Sequence, residues 1–414
     1  MQIDLFLNKL PSFEKILYKT LSANDYKWAN VENIHQAGVL IPKELADFFP
    51  PVDYSQSIFT ADINTFWIEE GKWIPYNSKW KYYESKTEWR VTTVSKQSFI
   101  DVASGSLLLM GKNGDGYYSC VVNSEDQELF EYVLDMLELR EAPRWGVLRK
   151  EKGTYLDEDG KLDRVLTIEE GLTDIPSIID LSTLAEKLYS DFNSDRFEKE
   201  ISATPGDYLD KLIEFEYKIY KRYESEVFST ILAKESEPHI YKITEWKQNK
   251  EFYRLKLDPF SNIFTSMSQR RKSRVGKTFE YHFRSYFNRL SIPFSFQEKV
   301  DGKKKPDFIL PSKDYYYSTT RNQDDAILLS LKTTLKERWQ QILNEGSRVK
   351  TKYLATLDKA VTTDQINEMA ERNVILVVTE WAKNNSEPYR NASNVITVKA
   401  FSEQMQDRKN GLWI

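Results

Sequence analysis

Short apolar runs alternate with polar turns along the first 150 residues. Phe66–Ile68, Arg90–Val94, Leu107–Met110 and Tyr117–Val122 are rich in β-branched, aromatic and other apolar residues, and each predicts a strand. Between the last two, Asn113-Gly114 and Asp115-Gly116 predict a hairpin turn. Asp126–Leu139 sets Leu129, Tyr132, Val133 and Met136 at helical spacing, which predicts an amphipathic helix. Residues 151–173 are polar, acidic and weakly periodic, the pattern of a linker. From Ile175 the spacing turns helical to about Tyr223, with a break near Pro205-Gly206. The last third then predicts a helix over Thr278–Leu290 and strands over Phe294–Glu298 and Phe308–Leu310. A buried strand follows over Ala326–Lys332, then a helix over Glu337–Val349. Strands over Tyr353–Leu357 and Val374–Val378 flank a helix over Thr363–Arg372. Strands alternating with helices predict an α/β sheet whose strands are mainly buried. The chain therefore divides into a β-rich part, 1–150, a linker, 151–173, and an α/β part, 174–414.

A length of 414 residues allows two or three domains, and 40% hydrophobic against 29% charged residues excludes wholesale disorder. No apolar run approaches the roughly 18 residues of a membrane span. The start, MQIDLFLNKLPSFEK, lacks a basic region followed by an apolar one, so no signal peptide is expected. Cys120 is the only cysteine, which excludes an intrachain disulfide and suits a reducing cytoplasm. A four-ligand zinc site of Cys and His would need Cys120 with all of His35, His239 and His282. Any metal is therefore expected on carboxylates.

The net charge of −5 argues at first against nucleic acid, but its distribution changes the picture. Residues 151–210 carry 16 acidic against 6 basic side chains, whereas residues 266–318 carry 12 basic against 5 acidic. A phosphate backbone feels local basic density rather than the total. The runs RRKSR (270–274) and KKK (303–305) are read either as such a patch or as solvated surface.

Within that basic stretch, Pro306-Asp307 opens a short strand, and the apolar strand AILLSLK ends at Lys332. An Asp on one strand and a Lys ending the next is the layout of the PD-(D/E)xK nuclease core. The second acid of that core usually stands two residues before the Lys, where this chain has Ser330. Glu345, thirteen residues beyond Lys332 on the following predicted helix, can supply the missing carboxylate. Asp307 and Glu345 would then hold one hard divalent cation through oxygen. Lys332 would orient or deprotonate the attacking water, or stabilise developing charge. Lys336-Glu337-Arg338 falls at the start of the same helix. Arg reads guanine and Glu accepts from a cytosine amino group, so a helix start beside the active site would read bases next to the cut. The plainer reading is a charged first turn, where Glu337 is favoured by the helix dipole.

SQRRKSRVGKTFEYHF (268–283), KKPDFILPS (304–312) and LKTTLKERWQQILNE (331–345) resemble the corresponding stretches of the EcoRII-type restriction endonucleases. In that family the acid two before the Lys is absent and a helix Glu replaces it. The resemblance implies that Asp307, Lys332 and Glu345 are catalytic, and that Lys336, Glu337 and Arg338 read a CC…GG sequence. Glu280 lies on a helix that often adds a carboxylate near the metal in such cores; the alternative is a partner for Arg284 one turn on.

LSANDYKWANVENIHQAGVLIP (21–42) resembles the start of the family's effector domain, a β-rich DNA-binding pseudobarrel. Lys19 and His35 match contact positions there, while Leu40 stands where the family has a Tyr. YNSK (76–79) and KTEWR (86–90) resemble a second DNA-contacting arm, with Glu88 and Arg90 as candidates.

The resemblance thus implies a β-rich effector domain followed by an α/β nuclease core. It implies Mg²⁺-dependent, sequence-specific hydrolysis of double-stranded DNA, autoinhibited until a second site is bound. A near-palindromic site is cut most simply by a homodimer. A cognate DNA methyltransferase acting on the same site is the implied partner in a restriction-modification system. The rival reading is a non-catalytic DNA-binding regulator that keeps a nuclease fold.

Overall fold

The structure is a computed structural model of the 414-residue chain. It describes residues 2–30, 38–137, 139–140, 143–151, 154–157, 162, 165–243, 258–302, 305–322, 324–335, 338–344, 346–359 and 361–413. The chain forms two compact units. One comprises residues 1–159 with 358–368 and 382–393, and the other comprises the remainder. Among the described residues no helix is long and apolar enough to cross a membrane.

The first unit is built on a nine-stranded sheet. Its strands are β1 (Lys15–Thr20), β2 (Val39–Ile41), β3 (Ile58–Glu69), β4 (Lys72–Tyr83), β5 (Glu88–Thr92), β6 (Leu107–Asn113), β7 (Gly116–Val122), β8 (Trp145–Glu151) and β9 (Thr154–Asp157), in the order β2-β5-β4-β3-β7-β6-β1-β8-β9. All pairs are antiparallel except β3 with β7. The uninterrupted LLLM of β6 has a physical cause in a sheet covered on both faces. Leu107 and Leu109 join Ile16 and Tyr18 in one core, while Leu108 and Met110 join Leu17 in another. The predicted hairpin forms, with Asn113 opposite Gly116. The predicted helix becomes α3 (Gln127–Met136), after α1 (Gln2–Lys9) and α2 (Ala23–Asn30), and Asp126 caps it by accepting the Leu129 N–H at 3.2 Å. The β3–β4 hairpin is far longer than the Phe66–Ile68 run predicts. A two-residue loop closes it, with Glu70 and Gly71 both at positive φ, 47° and 72°. The sheet also runs past residue 150: β9 pairs with β8, so the start of the expected linker is a strand.

In the second unit, β10 (Ser295–Phe296), β11 (Phe308–Leu310), β12 (Ile327–Lys332), β13 (Lys352–Thr356), β14 (Val374–Val378) and β15 (Val395–Thr397) form one sheet in sequence order. The first three are antiparallel and the rest parallel. Helices α4 (Ile178–Phe192), α5 (Phe197–Ala203), α6 (Pro205–Ile243) and α7 (Asp258–Arg289) precede it. On α7 a stripe of Phe279, Phe283, Tyr286 and Phe287 is buried at helical spacing. The ring centroids of Phe283 and Phe287 lie 6.0 and 5.3 Å from that of Phe308, so the stripe seats α7 on β11. The chain as a whole is mixed α/β, a β-rich unit and an α/β unit.

Two of the four cations in the RRKSR run are spent inside the fold. Arg271 chelates Glu224 on α6 with its Nε at 2.9 Å from both carboxylate oxygens, and Arg274 reaches Glu216 at 3.1 Å. These two cations neutralise buried acids, so the local excess of positive charge available to a phosphate is smaller than the sequence count.

Candidate active site

The antiparallel register of β11 on β12 sets Phe308 opposite Leu329, and Asp307 immediately precedes Phe308. Its Oδ2 accepts the Leu331 N–H at 2.6 Å, and its carbonyl accepts the Gln297 N–H at 2.9 Å. Asp307 is thereby stitched to the neighbouring chain on both sides. Along β12, Ile327, Leu329 and Leu331 enter the main core, while Leu328 faces Ile309, Tyr316 and Val349. Alternation puts Ser330 and Lys332 on the Leu328 face. Ser330 is 3% exposed, and Lys332 is half-buried at the strand's end.

α7 brings Glu280 to the same place. Burial, and then the negative charge of Asp307, push its carboxyl up to about 7 against the pull of Lys332, Gln297 and Lys277. Burial also raises Asp307, opposed by the Leu331 N–H and by the charges of Lys332 and Lys305. Three of the residues expected at the site, Asp307, Lys332 and Glu280, are therefore close enough to act on one another electrostatically. Glu280 does not serve as a partner for Arg284. It accepts from the Gln297 amide, and the Arg284 guanidinium lies over the Phe296 ring at 5.2 Å. Gln297 in turn accepts from the exposed Lys305 ammonium at 3.2 Å. In the sequence Gln297 belongs only to the strand predicted over Phe294–Glu298, and Lys305 only to the KKK run. A non-glycine residue with positive φ, 50° at Gln297, is the structural signal, and no sequence pattern announces it.

The helix predicted over Glu337–Val349 is corrected to a 3₁₀ helix over Arg338–Asn344. Trp339 and Ile342 are both buried, and their i, i+3 spacing suits three residues per turn. The chain then turns at Gly346, at φ +65°, where a Cβ would come within 2.0 Å of Leu328. Only glycine fits that approach. Lys336, Glu337 and Glu345 lie outside the described residues, as does the side chain of Arg338. Among the described residues no group of three or more His, Cys, Asp or Glu is gathered for a metal. Asp307 and Glu280 offer two hard oxygen donors, the chemistry a hard divalent cation takes.

In the first unit the expected contact residues fare differently. Lys19 is 2% exposed and spends its charge on Asp25 at 2.6 Å. Burial lowers its ammonium pKa, with Asp25 opposing. Asp25 also accepts from the Ser22 N–H and hydroxyl and, through its other oxygen, from the Leu40 N–H at 3.1 Å. Arg90, 6% exposed, donates to the Gly38 carbonyl at 3.3 Å and lies 3.7 Å from Glu88. Lys19 and Arg90 are thus interior framework groups, not the surface contacts their positions led one to expect. They pin residues 25 and 38–40, on either side of the segment that carries His35. His35 itself lies outside the described residues.

Residues 237–402 match a family model described as EcoRII C terminal. The type II restriction enzyme EcoRII of Escherichia coli is 36% identical over 150 residues, which is 36% of this chain and 37% of that protein. The chain thus covers little more than a third of that relative's length. The type II restriction enzyme SsoII of Shigella sonnei is 28% identical over 242 residues, 56% of this chain and 75% of that protein. Among solved structures, metal-depleted Ecl18kI in complex with uncleaved DNA shares 25% identity with a TM-score of 0.44, covering 57% of this chain and 86% of that one. The stretch 237–402, which holds Glu280, Asp307 and Lys332, matches the EcoRII C-terminal family model, and the chain is similar to type II restriction enzymes.

Proposed function

We propose that this protein is a type II restriction endonuclease that hydrolyses double-stranded DNA at a CC…GG-type site. The observation that carries the reading is the acid pair Asp307 and Glu280 beside Lys332. Both carboxyls are held above their ordinary values at the edge of a sheet, in the domain shared with restriction enzymes. Asp307 and Glu345, with Glu280, would hold Mg²⁺. Gly346 packs against Leu328, on the strand face that also carries Ser330, which supports a role for the adjacent Glu345 in the space a second acid would fill. When bound, the cation polarises the phosphoryl group and acidifies a water. Lys332 orients that water or offsets charge developing on the phosphate. Lys305, exposed at the same edge, meets a phosphate oxygen. Lys336, Glu337 and Arg338 read bases beside the cut.

In this reading the first unit binds a second copy of the site and restrains cutting until it does. His35 and Glu88 are its contact candidates, on a base held by Lys19, Asp25 and Arg90. A homodimer matches a two-fold site, and a methyltransferase of the same specificity protects the host DNA. The test is digestion of a long DNA by the full chain with Mg²⁺, followed by sequencing of the ends. Discrete fragments ending at one CC…GG-type sequence are expected, with faster cutting when a short duplex carrying that site is added. A protein that binds the site and never cuts it is a regulator, and the reading fails.

A further inference from the structure

Gln297 links an acid and a cation here: its side chain touches Glu280 and Lys305, and its backbone N–H reaches the Asp307 carbonyl. It ends β10 in the left-handed region, φ 50°, a conformation non-glycine residues rarely adopt. That turn serves three contacts. The Gln297 N–H donates to the Asp307 carbonyl at 2.9 Å, the side-chain Nε2 donates to Glu280 Oε2, and the side-chain Oε1 accepts from Lys305 Nζ at 3.2 Å. The side-chain amide carries, without a charge, both the donor and the acceptor that such a bridge needs. A carboxylate there would face Glu280 with like charge, and an apolar group would leave both partners free to rotate. Backbone held in a sparsely populated region beside a cluster of charged side chains is where a functional constraint is expected.

We propose that Gln297 is a positioning residue for divalent-cation binding. Its amide fixes the Glu280 carboxylate on the Asp307 side of the site and holds the Lys305 ammonium at the outer edge, so that it sets cation affinity and not the chemical step. This rests on the reading that Asp307 and Glu280 hold the cation. Partners that orient metal ligands typically contribute tenfold to a hundredfold in metal affinity.

The experiment uses the full chain bound to a duplex carrying its site, with Ca²⁺ binding followed by calorimetry. DNA affinity and thermal stability are measured in EDTA. Gln297→Met, nearly the same size without the bridge, should weaken Ca²⁺ by roughly tenfold or more and leave both EDTA readouts unchanged. Gln297→Gly should weaken Ca²⁺ as much while its melting temperature holds or rises, because glycine accepts the positive φ. A merely structural residue would not move these two readouts apart. With Mg²⁺, both variants should need more metal for half-maximal cutting yet approach the parent rate at saturation. Parent-like Ca²⁺ affinity in Gln297→Met overturns the proposal, and so does a joint loss of DNA affinity and stability. Asp307→Asn reports on the underlying reading separately. If it binds Ca²⁺ as the parent does, that reading fails whatever Gln297 shows, and the positioning role fails with it.

Discussion

Two groups of buried acids in the second unit behave in opposite ways. Glu216 and Glu224 lie inside the helical layer, where burial works to raise their carboxyls, yet both end below the ordinary range. Glu216 receives His282 at 2.8 Å, Ser182 at 2.7 Å, Thr278 at 2.9 Å and Arg274 at 3.1 Å. Glu224 receives Arg271, Lys221 and the Tyr220 hydroxyl. His282 is raised in turn: burial lowers it, and Glu186 and Glu216 outweigh that. At the sheet edge, Asp307 and Glu280 are half-buried, but the charge beside Glu280 is another acid, and both carboxyls are raised. The difference teaches that burial does not mark a working carboxylate. At the candidate site burial is answered only in part by neighbouring cations and donors, and at Glu280 the charge of Asp307 adds to it.

The largest expected effect is on chemistry. Asp307→Ala, Lys332→Ala and Glu345→Ala should each cut at least roughly a thousandfold more slowly, with DNA binding in EDTA largely kept. Normal cutting by Glu345→Ala would sink the relocated acid. Stability should divide the two groups the other way. Glu216→Ala strands His282 and Arg274 in the interior and should cost about 3–5 kcal/mol in urea denaturation. Asp307→Asn removes an unfavourable charge and should cost little or nothing. Equal destabilisation by the two would erase the contrast between helical layer and sheet edge. A smaller effect separates catalysis from reading. Arg338→Ala should lose roughly 1–3 kcal/mol of discrimination between cognate and altered sites, measured by competition binding, if it holds a guanine. Equal loss on cognate and random DNA would make it a backbone contact.

Much of the framework could be read in the sequence because its signals are local. Asn113–Gly116, the helical spacing of Asp126–Leu139, and the apolar runs at 308–310, 327–332 and 374–378 each state their own conformation. Where the chain's conformation depends on distant partners, the pattern failed. Glu337–Val349 has helical composition, but Trp339, Ile342 and the Gly346 approach to Leu328 impose a tighter turn. The β3–β4 hairpin closes on Glu70-Gly71, a weaker turn signal than Asn-Gly. At the candidate site, Asp307 precedes one strand and Lys332 ends the strand paired with it, so both could be proposed from spacing. Gln297 could not, because its role comes from a strained turn that joins a helix, a strand and a lysine. Lys19 misled for a related reason: a lysine's charge is visible in sequence, and the aspartate that absorbs it is visible only in the fold.

The finest test of the contrast is Glu280→Gln, and its sign depends on pH. The Glu280 carboxyl moves from 4.5 up to about 7 on folding. Between those values the folded protein keeps a proton that the unfolded chain has released, so stability must fall as pH rises through that window and level off above it. Glutamine has no proton to lose. The metal-free variant should match the parent near pH 5 and exceed it at pH 8. Glu280 is only half-buried, and solvent screens part of the repulsion, so the gain should be about 1 kcal/mol and not the full worth of the shift. Urea denaturation in EDTA at the two pH values measures it. A cation held by Asp307 and Glu280 would then invert the order, because Ca²⁺ at pH 8 stabilises the parent through both acids and the variant through one. If the two proteins keep the same difference at pH 5 and pH 8, burial and Asp307 together do not raise Glu280. The sheet edge would then be no different from the helical layer behind it.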